Sequence, residues 1–164
     1  GKCSYVQSNS KFISTEVGSF CSIGSGVSVG LSSHPTSLVS SSPVFYDPRQ
    51  PLPFFFVDRP SGYESISRTI IGSDVWIGEG AKIKSGLTIG VGCVIGAGSL
   101  ITKNVPPYSI VGGVPGRILR KRFSDEMCEE LLGSRWWESE DSKLAVLAKY
   151  MDSPEVFLSK FYSL

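Results

Sequence analysis

The chain is short of charge, has a single histidine and carries no long apolar run. Of its 164 residues only 19% are Asp, Glu, Lys or Arg, and the formal net charge is +1; an ordinary domain has about 25% charged residues. That balance excludes a partner held by bulk charge, such as nucleic acid or an anionic membrane surface. No apolar stretch approaches the ~18 residues that a membrane-spanning helix needs, and no signal-peptide pattern opens the chain. The four cysteines, Cys3, Cys21, Cys93 and Cys128, are far apart and form no C-x-x-C pair. Zinc-ligand spacing is therefore absent, and free thiols in a reducing cytoplasm are expected. His34 is the only histidine, which rules out a three-histidine metal site within one chain. Hydrophobic residues reach 41%, enough to build a core, so disorder is not expected.

Glycine is in excess, and its placement is periodic. From Ile71 an aliphatic residue recurs every six positions, at Ile71, Ile77, Ile83, Ile89, Ile95 and Ile101, and the same phase appears earlier at Val17, Ile23 and Val29. Twelve of the eighteen glycines lie inside these two stretches. A period of six preserves the two-residue alternation of a strand and does not fit a helix. Short strands joined by Gly-assisted corners make the sides of a prism, and three hexapeptides close one triangular coil. Residues 17–34, 71–88 and 89–106 are then successive coils. Val17, Ile71 and Ile89 stack on one inner face, Ile23, Ile77 and Ile95 on the second, and Val29, Ile83 and Ile101 on the third. Cys21 and Cys93 fall at the small-residue position of the repeat and are expected to pack inside.

Two segments stand outside the repeat. Residues 35–70 hold six of the ten prolines together with Phe45, Tyr46, Phe54, Phe55, Phe56 and Tyr63. A segment of this length without regular structure is uncommon unless functional. It leaves after the first coil, and Ile71 re-enters in phase. Residues 124–164 read as helices: Ser124 as N-cap with Asp125 and Glu126 in the first turn, an apolar stripe of Met127, Cys128, Leu131 and Leu132, a second helix through Leu144 to Met151, and a third opened by Pro154. This part, which contains nine of the fifteen acids, is expected to cap the open end of the prism, with Trp136 and Trp137 packing it there. The division expected is therefore 1–123 and 124–164.

The hexapeptide prism, the segment SSHPTSLVSSSPVFY, the motif IGSDVWIG and the end IGAGSLITKNVPPYSIVGGVPGR together resemble the hexapeptide-repeat acetyltransferases. Within them the chain is most similar to the sugar and polysaccharide O-acetyltransferases and to the xenobiotic branch that acts on chloramphenicol and streptogramins. The resemblance implies an all-β fold, a left-handed parallel β-helix with a long inserted loop and a C-terminal helical cap. It also implies acetyl-CoA as co-substrate, no metal, and a homotrimer with active sites between adjacent prisms. His34 matches the family's catalytic histidine. The coenzyme-contacting positions match at Glu79, Ala97, Thr102, Lys103, Arg117 and Arg120, with Glu79 standing where related sugar enzymes carry Ser.

The residues fit that chemistry on their own terms. A hydroxyl is a weak nucleophile, so acetyl transfer needs a base poised near neutrality, and histidine supplies one. Asp47, Asp58, Glu64 or a backbone carbonyl are candidates to orient it. Lys103, Arg117, Arg120, Lys121 and Arg122 fall in a stretch with no acid, suited to the phosphates of coenzyme A. Arg117 and Arg120 are read as opening a helix and facing one ligand. Trp76 should point outward, to line the acceptor end of the cleft or to pack between subunits. Phe45 and Tyr46 serve either an acceptor platform or the loop's own core. The reading that follows is a cytoplasmic, homotrimeric O-acetyltransferase acting on a sugar hydroxyl of a surface-polysaccharide precursor. Its alternatives are a xenobiotic acetyltransferase, a nucleotide-amino-sugar N-acetyltransferase and a non-catalytic scaffold.

Overall fold

The computed structural model describes every residue from Gly1 to Leu164. Twelve short strands wind as a three-sided parallel coil: β1 (Tyr5–Val6), β2 (Lys11–Phe12), β3 (Thr15–Val17), β4 (Ser22–Ile23), β5 (Ser28–Leu31), β6 (Thr69–Ile71), β7 (Trp76–Ile77), β8 (Lys82–Lys84), β9 (Thr88–Ile89), β10 (Val94–Ile95), β11 (Leu100–Ile101) and β12 (Ser109–Gly112). They form three sheets, ordered β1-β4-β7-β10-β12, β11-β8-β5-β2 and β3-β6-β9. Within the repeat, partners lie eighteen residues apart, as in Ile77↔Ile95, Ile83↔Ile101 and Ile71↔Ile89. Each coil donates its amides to the next, as from Trp76 N–H to the Cys93 carbonyl (2.9 Å) and from Gly78 N–H to the Ile95 carbonyl (2.8 Å). Stacking thus satisfies the backbone polar groups of a very short strand. Parallel three-sided winding fits the left-handed β-helix that the resemblance implies.

The expected inner columns form the core. Ile23, Ile77, Ile83, Ile89, Ile95 and Ile101 are all buried in one cluster with Val29, Ile71, Cys21 and Cys93, and Val17 packs against it. Burying each such side chain contributes about 1.5–3 kcal/mol. The core cysteines are inert for the same reason: burial pushes the Cys93 thiol up to about 11, and the Cys21 thiol is raised likewise.

Three features depart from the sequence reading. The prism begins one coil earlier, because β1 and β2 pair with β4 and β5 through Val6↔Ile23 and Phe12↔Val29. That register is one residue short of the repeat, and no Gly follows Val6 or Phe12, so the periodicity does not mark it. The expected helix at Arg117 is instead a strand, β13 (Arg117–Lys121), antiparallel to β12. Pairing with the last coil wins there over the helical propensity of five residues.

Third, the helices α1 (Asp125–Ser134), α2 (Asp141–Leu147) and α3 (Pro154–Phe161) lie along one edge of the prism instead of only across its end. Lys2 Nζ donates to the Ser139 carbonyl and pairs with Asp141 at 2.7 Å. Phe20 meets Trp136 with ring centroids 5.4 Å apart. Arg122 reaches Asp74 at 2.9 Å and the Gly92 carbonyl at 2.8 Å. Tyr108 is buried among Cys128, Leu131, Leu147 and Phe157. Phe20, Asp74 and Tyr108 hold left-handed backbone at this edge, φ 61, 57 and 55°. That conformation costs each about 1–2 kcal/mol, offset at Tyr108 by burial of the whole ring. The same burial raises its phenol to about 12. Ser124 caps α1 as expected, accepting from the Met127 amide.

Two glycines separate the constraints of the coil. A Cβ on Gly78 would stand 2.5 Å from the Ala97 backbone nitrogen, whereas one on Gly80 meets open space but at φ +68°. Gly80→Ala should therefore cost about 1 kcal/mol and Gly78→Ala about 2–3 kcal/mol through forced separation of two coils. Thermal melting of both variants checks this; an equal fall in Tm would show that close coil approach is not the stronger constraint.

Candidate functional site

His34 sits where β5 gives way to the 35–70 segment, and that segment is folded around it. Pro43–Phe45 forms a 3-10 turn, the Phe56 amide donates to the Val44 carbonyl, and the Ser61 amide donates to the Tyr46 carbonyl. Phe45 stacks on Phe56 at 5.1 Å, Phe54 meets Phe56 edge-on at 5.5 Å, and Tyr63 meets Tyr46 edge-on at 5.7 Å. The Tyr63 and Ser33 hydroxyls are 2.8 Å apart. Asp47 is buried and ties the turn: it accepts from Arg49 Nε at 2.7 Å, from Gln50 Nε2 at 3.1 Å and from the Arg49 amide at 3.1 Å. These bonds, led by the Arg49 guanidinium, hold its carboxyl well below the usual carboxylate range. Asp before Pro is a turn signal, and it marks a residue that closes the loop.

The imidazole is held by the loop it opens. His34 Nδ1 lies 2.9 Å from the Ser41 carbonyl oxygen and 2.9 Å from Tyr46 Oη. A carbonyl oxygen only accepts, so the Ser41 contact requires the proton on Nδ1 and leaves the Nε2 lone pair free. None of Asp47, Asp58 and Glu64 touches the ring. The orienting group is a backbone carbonyl, one of the candidates named from sequence, and no side-chain pattern could mark which one. A cavity of about 100 Å³ beside the ring is lined by Ser32, Ser33, Pro43, Tyr46, Gln50 and Ser65.

The other predicted residues fall in two further places. Trp76, 58% exposed, points outward from β7 and lines a groove of about 370 Å³ with Glu79, Ala97, Tyr5 and Ser22. Thr102, Lys103 and Arg117 line another, of about 350 Å³, with Asn104 and Gly116. Arg120 lies on β13 but does not line that groove. Of the five bases in this stretch, Lys121 pairs with Asp125 and Arg122 with Asp74. Lys103, Arg117 and Arg120 make no ion pair and remain available to an anion. Phe45 borders an apolar groove with Leu38, Val39 and Ser40, whereas Tyr46 is only 2% exposed and turned toward His34. Within one chain, the histidine cavity and the two grooves share no lining residue.

A prism of hexapeptide coils carrying an outward histidine and unpaired bases beside its last coils defines a class, and comparison with known proteins agrees. The bacterial transferase hexapeptide family (six repeats) matches residues 68–103. The chain is 42% identical over 143 residues to a chloramphenicol acetyltransferase of Agrobacterium fabrum, covering 85% of this chain and 67% of that one. It is 46% identical over 125 residues to a chloramphenicol acetyltransferase of Escherichia coli, covering 74% and 58%. The chain belongs to the hexapeptide-repeat acetyltransferases. It spans about three-fifths to two-thirds of the length of these two curated relatives. Among solved structures, AntD, an N-acyltransferase from Bacillus cereus in complex with dTDP and 3-hydroxybutyryl-CoA, superposes with a TM-score of 0.55 at 21% identity over 80% of this chain and 68% of that one. At that identity the likeness concerns the fold.

The Asp47 tie predicts how the loop responds to substitution and to acid. A carboxyl held down in the folded loop stabilises it fully above the ordinary value of 3.8 and loses that contribution as pH falls below it. Protection of the loop from pepsin should therefore weaken below about pH 4. At neutral pH, Asp47→Asn should speed chymotryptic cleavage at Phe54–Phe56 several-fold while the Tm of the prism holds. An unchanged cleavage rate would mean that the loop does not rest on this carboxylate.

Proposed function

We propose that the protein transfers an acetyl group from acetyl-CoA to a hydroxyl of a xenobiotic of the chloramphenicol class, with His34 as general base. The observation that carries this is the Nδ1 bond from His34 to the Ser41 carbonyl, which leaves Nε2 of the exposed imidazole unprotonated. Nε2 takes the proton of the acceptor hydroxyl as its oxygen attacks the thioester carbon. The tetrahedral intermediate collapses, the carbon–sulfur bond breaks, and the leaving thiolate takes the proton from Nε2. No residue is acylated on the way. Such base catalysis contributes about 10²–10⁴-fold.

Lys103, Arg117 and Arg120 are assigned to the coenzyme phosphates, since they are the unpaired bases of the stretch 103–122, and Lys103 and Arg117 share one groove with Thr102. Ala97 keeps the wall beside Glu79 low enough for an extended pantetheine arm, with Trp76 at its acceptor end. The separation of these residues from His34 within one chain supports a homotrimer, in which the histidine of one prism faces the groove of the next. Phe45 is assigned to the acceptor side. The xenobiotic acceptor replaces the sugar hydroxyl as the preferred reading because the two curated relatives described above carry the name of chloramphenicol acetyltransferases. The half-exposed Leu38, Phe45, Phe54 and Phe56 also suit an apolar, aromatic acceptor better than a polyhydroxylated one.

Thiol release from acetyl-CoA with chloramphenicol, set against a panel of hexoses and amino sugars, tests the acceptor. Turnover with chloramphenicol is expected, and turnover with a sugar alone would restore the other branch. His34→Ala should cost at least about 100-fold in kcat. Arg117→Ala and Arg120→Ala should each raise the KM for acetyl-CoA about tenfold with little change in the acceptor KM; an unchanged value would remove these residues from the donor site. Light scattering should report a trimer, and a monomer retaining full activity would overturn the shared site.

A further inference from the structure

Tyr46, expected from sequence in an acceptor platform or in the loop's own core, is the side chain in contact with the histidine. Its ring is buried, packed edge-on against Tyr63, and tilted 83° to the imidazole with centroids 6.5 Å apart. Its hydroxyl reaches Nδ1 at 2.9 Å and has no other partner among the hydrogen bonds of the loop. The remaining groups around the imidazole, Ser32, Ser33, Gln50 and Ser65, carry no charge. No Asp, Glu, Lys or Arg of the surrounding loop pairs with the imidazole, and the buried Asp47 is engaged by Arg49. Tyr63 is engaged by Ser33. Tyr46 is thus the one titratable group in contact with the ring.

We infer that Tyr46 is a positioning residue for the transfer, its hydroxyl oxygen sharing the Nδ1 proton of His34 with the Ser41 carbonyl. This rests on the reading of His34 as the base. With the proton on Nδ1, the phenol can only accept from that nitrogen, and the two oxygens form a three-centre bond that fixes the ring plane. The bond strengthens when Nε2 takes the acceptor proton, because the imidazolium is the better donor. Tyr46 then favours the charged form of the histidine at the point where the reaction creates it. Burial raises the phenol, so it stays a neutral hydroxyl through the working range. A hydroxyl that donated to Nδ1 would select the opposite tautomer and block the base; the Ser41 carbonyl on the same nitrogen excludes that arrangement. The two contacts act as a pair, the carbonyl setting the tautomer and the phenol supporting the charge.

Tyr46→Phe tests this, because it removes the oxygen and keeps the ring that packs on Tyr63. Steady-state rates are measured against pH with chloramphenicol and acetyl-CoA, alongside His34→Ala and Tyr63→Phe. The expected result for Tyr46→Phe is a fall in kcat of about tenfold, the size of one hydrogen bond to a charged group. The acetyl-CoA KM should stay within about twofold, a uniform-binding control, and the acid limb of kcat/KM should move to lower pH, since a bond to the charged form is lost. Tyr63→Phe loosens the same loop and should leave the acid limb in place. An acid limb unmoved in Tyr46→Phe, whatever happens to kcat, would reduce Tyr46 to a packing residue. Full activity in His34→Ala would overturn the base reading itself, and with it the role of Tyr46.

Discussion

Backbone hydrogen bonds between coils eighteen residues apart are the constraint on which the rest depends. Strands of two or three residues have no independent stability, and they persist here because each amide finds a carbonyl on the next coil and each inner aliphatic finds its equivalent above and below. The columns Ile23–Ile77–Ile95 and Val29–Ile83–Ile101 are the visible result. Glycine is needed where that stacking brings backbone against backbone, as at Gly78 over Ala97.

A stack of this kind tolerates interruption only at its corners and only in whole coils. The chain leaves after β5 and returns at β6 so that Val17 pairs Ile71 and Val29 pairs Ile83 with no loss of phase. The excursion must then be held without the help of the sheets. It has its own devices: Asp47 on Arg49 and Gln50, the Phe45–Phe56 stack, and the Tyr46–Tyr63 pair. His34 stands where the rigid coil ends and the loop begins, and it is oriented by Ser41 and Tyr46 from the loop's first part. The prism supplies position and the loop supplies orientation, the division expected of a site built on a rigid scaffold with variable connections.

Legibility followed the same division. The inner columns were readable from Ile71 to Ile101 because a repeat with one side chain pointing inward every six residues leaves a direct trace in sequence. The first coil was not, because Val6 and Phe12 lack the following Gly and the spacing to Val17 slips by one residue. Ser124, Asp125 and Pro154 announced the helices through local capping chemistry, but their course along the prism edge rests on Lys2, Phe20, Asp74 and Tyr108, contacts distant in sequence that no local pattern encodes. At the site, His34 and the unpaired bases stood out by rarity and by charge. Ser41 did not, since a carbonyl is the same at every residue. Arg117 was read in the wrong conformation, because five residues next to the last coil gain more from an antiparallel partner than from a helical turn.

The chemistry turns on one proton: neutral His34 carries it on Nδ1, held toward Ser41 and Tyr46, and Nε2 is free to act. Because His34 is the only histidine of the chain, selective ¹⁵N labelling of histidine gives a single imidazole whose two nitrogens can be assigned without ambiguity. Nitrogen chemical shifts and long-range proton–nitrogen couplings of the neutral ring distinguish the two tautomers directly. A protonated Nδ1 and an unprotonated Nε2 are expected, and a neutral ring protonated at Nε2 would rule out His34 as the base in this arrangement.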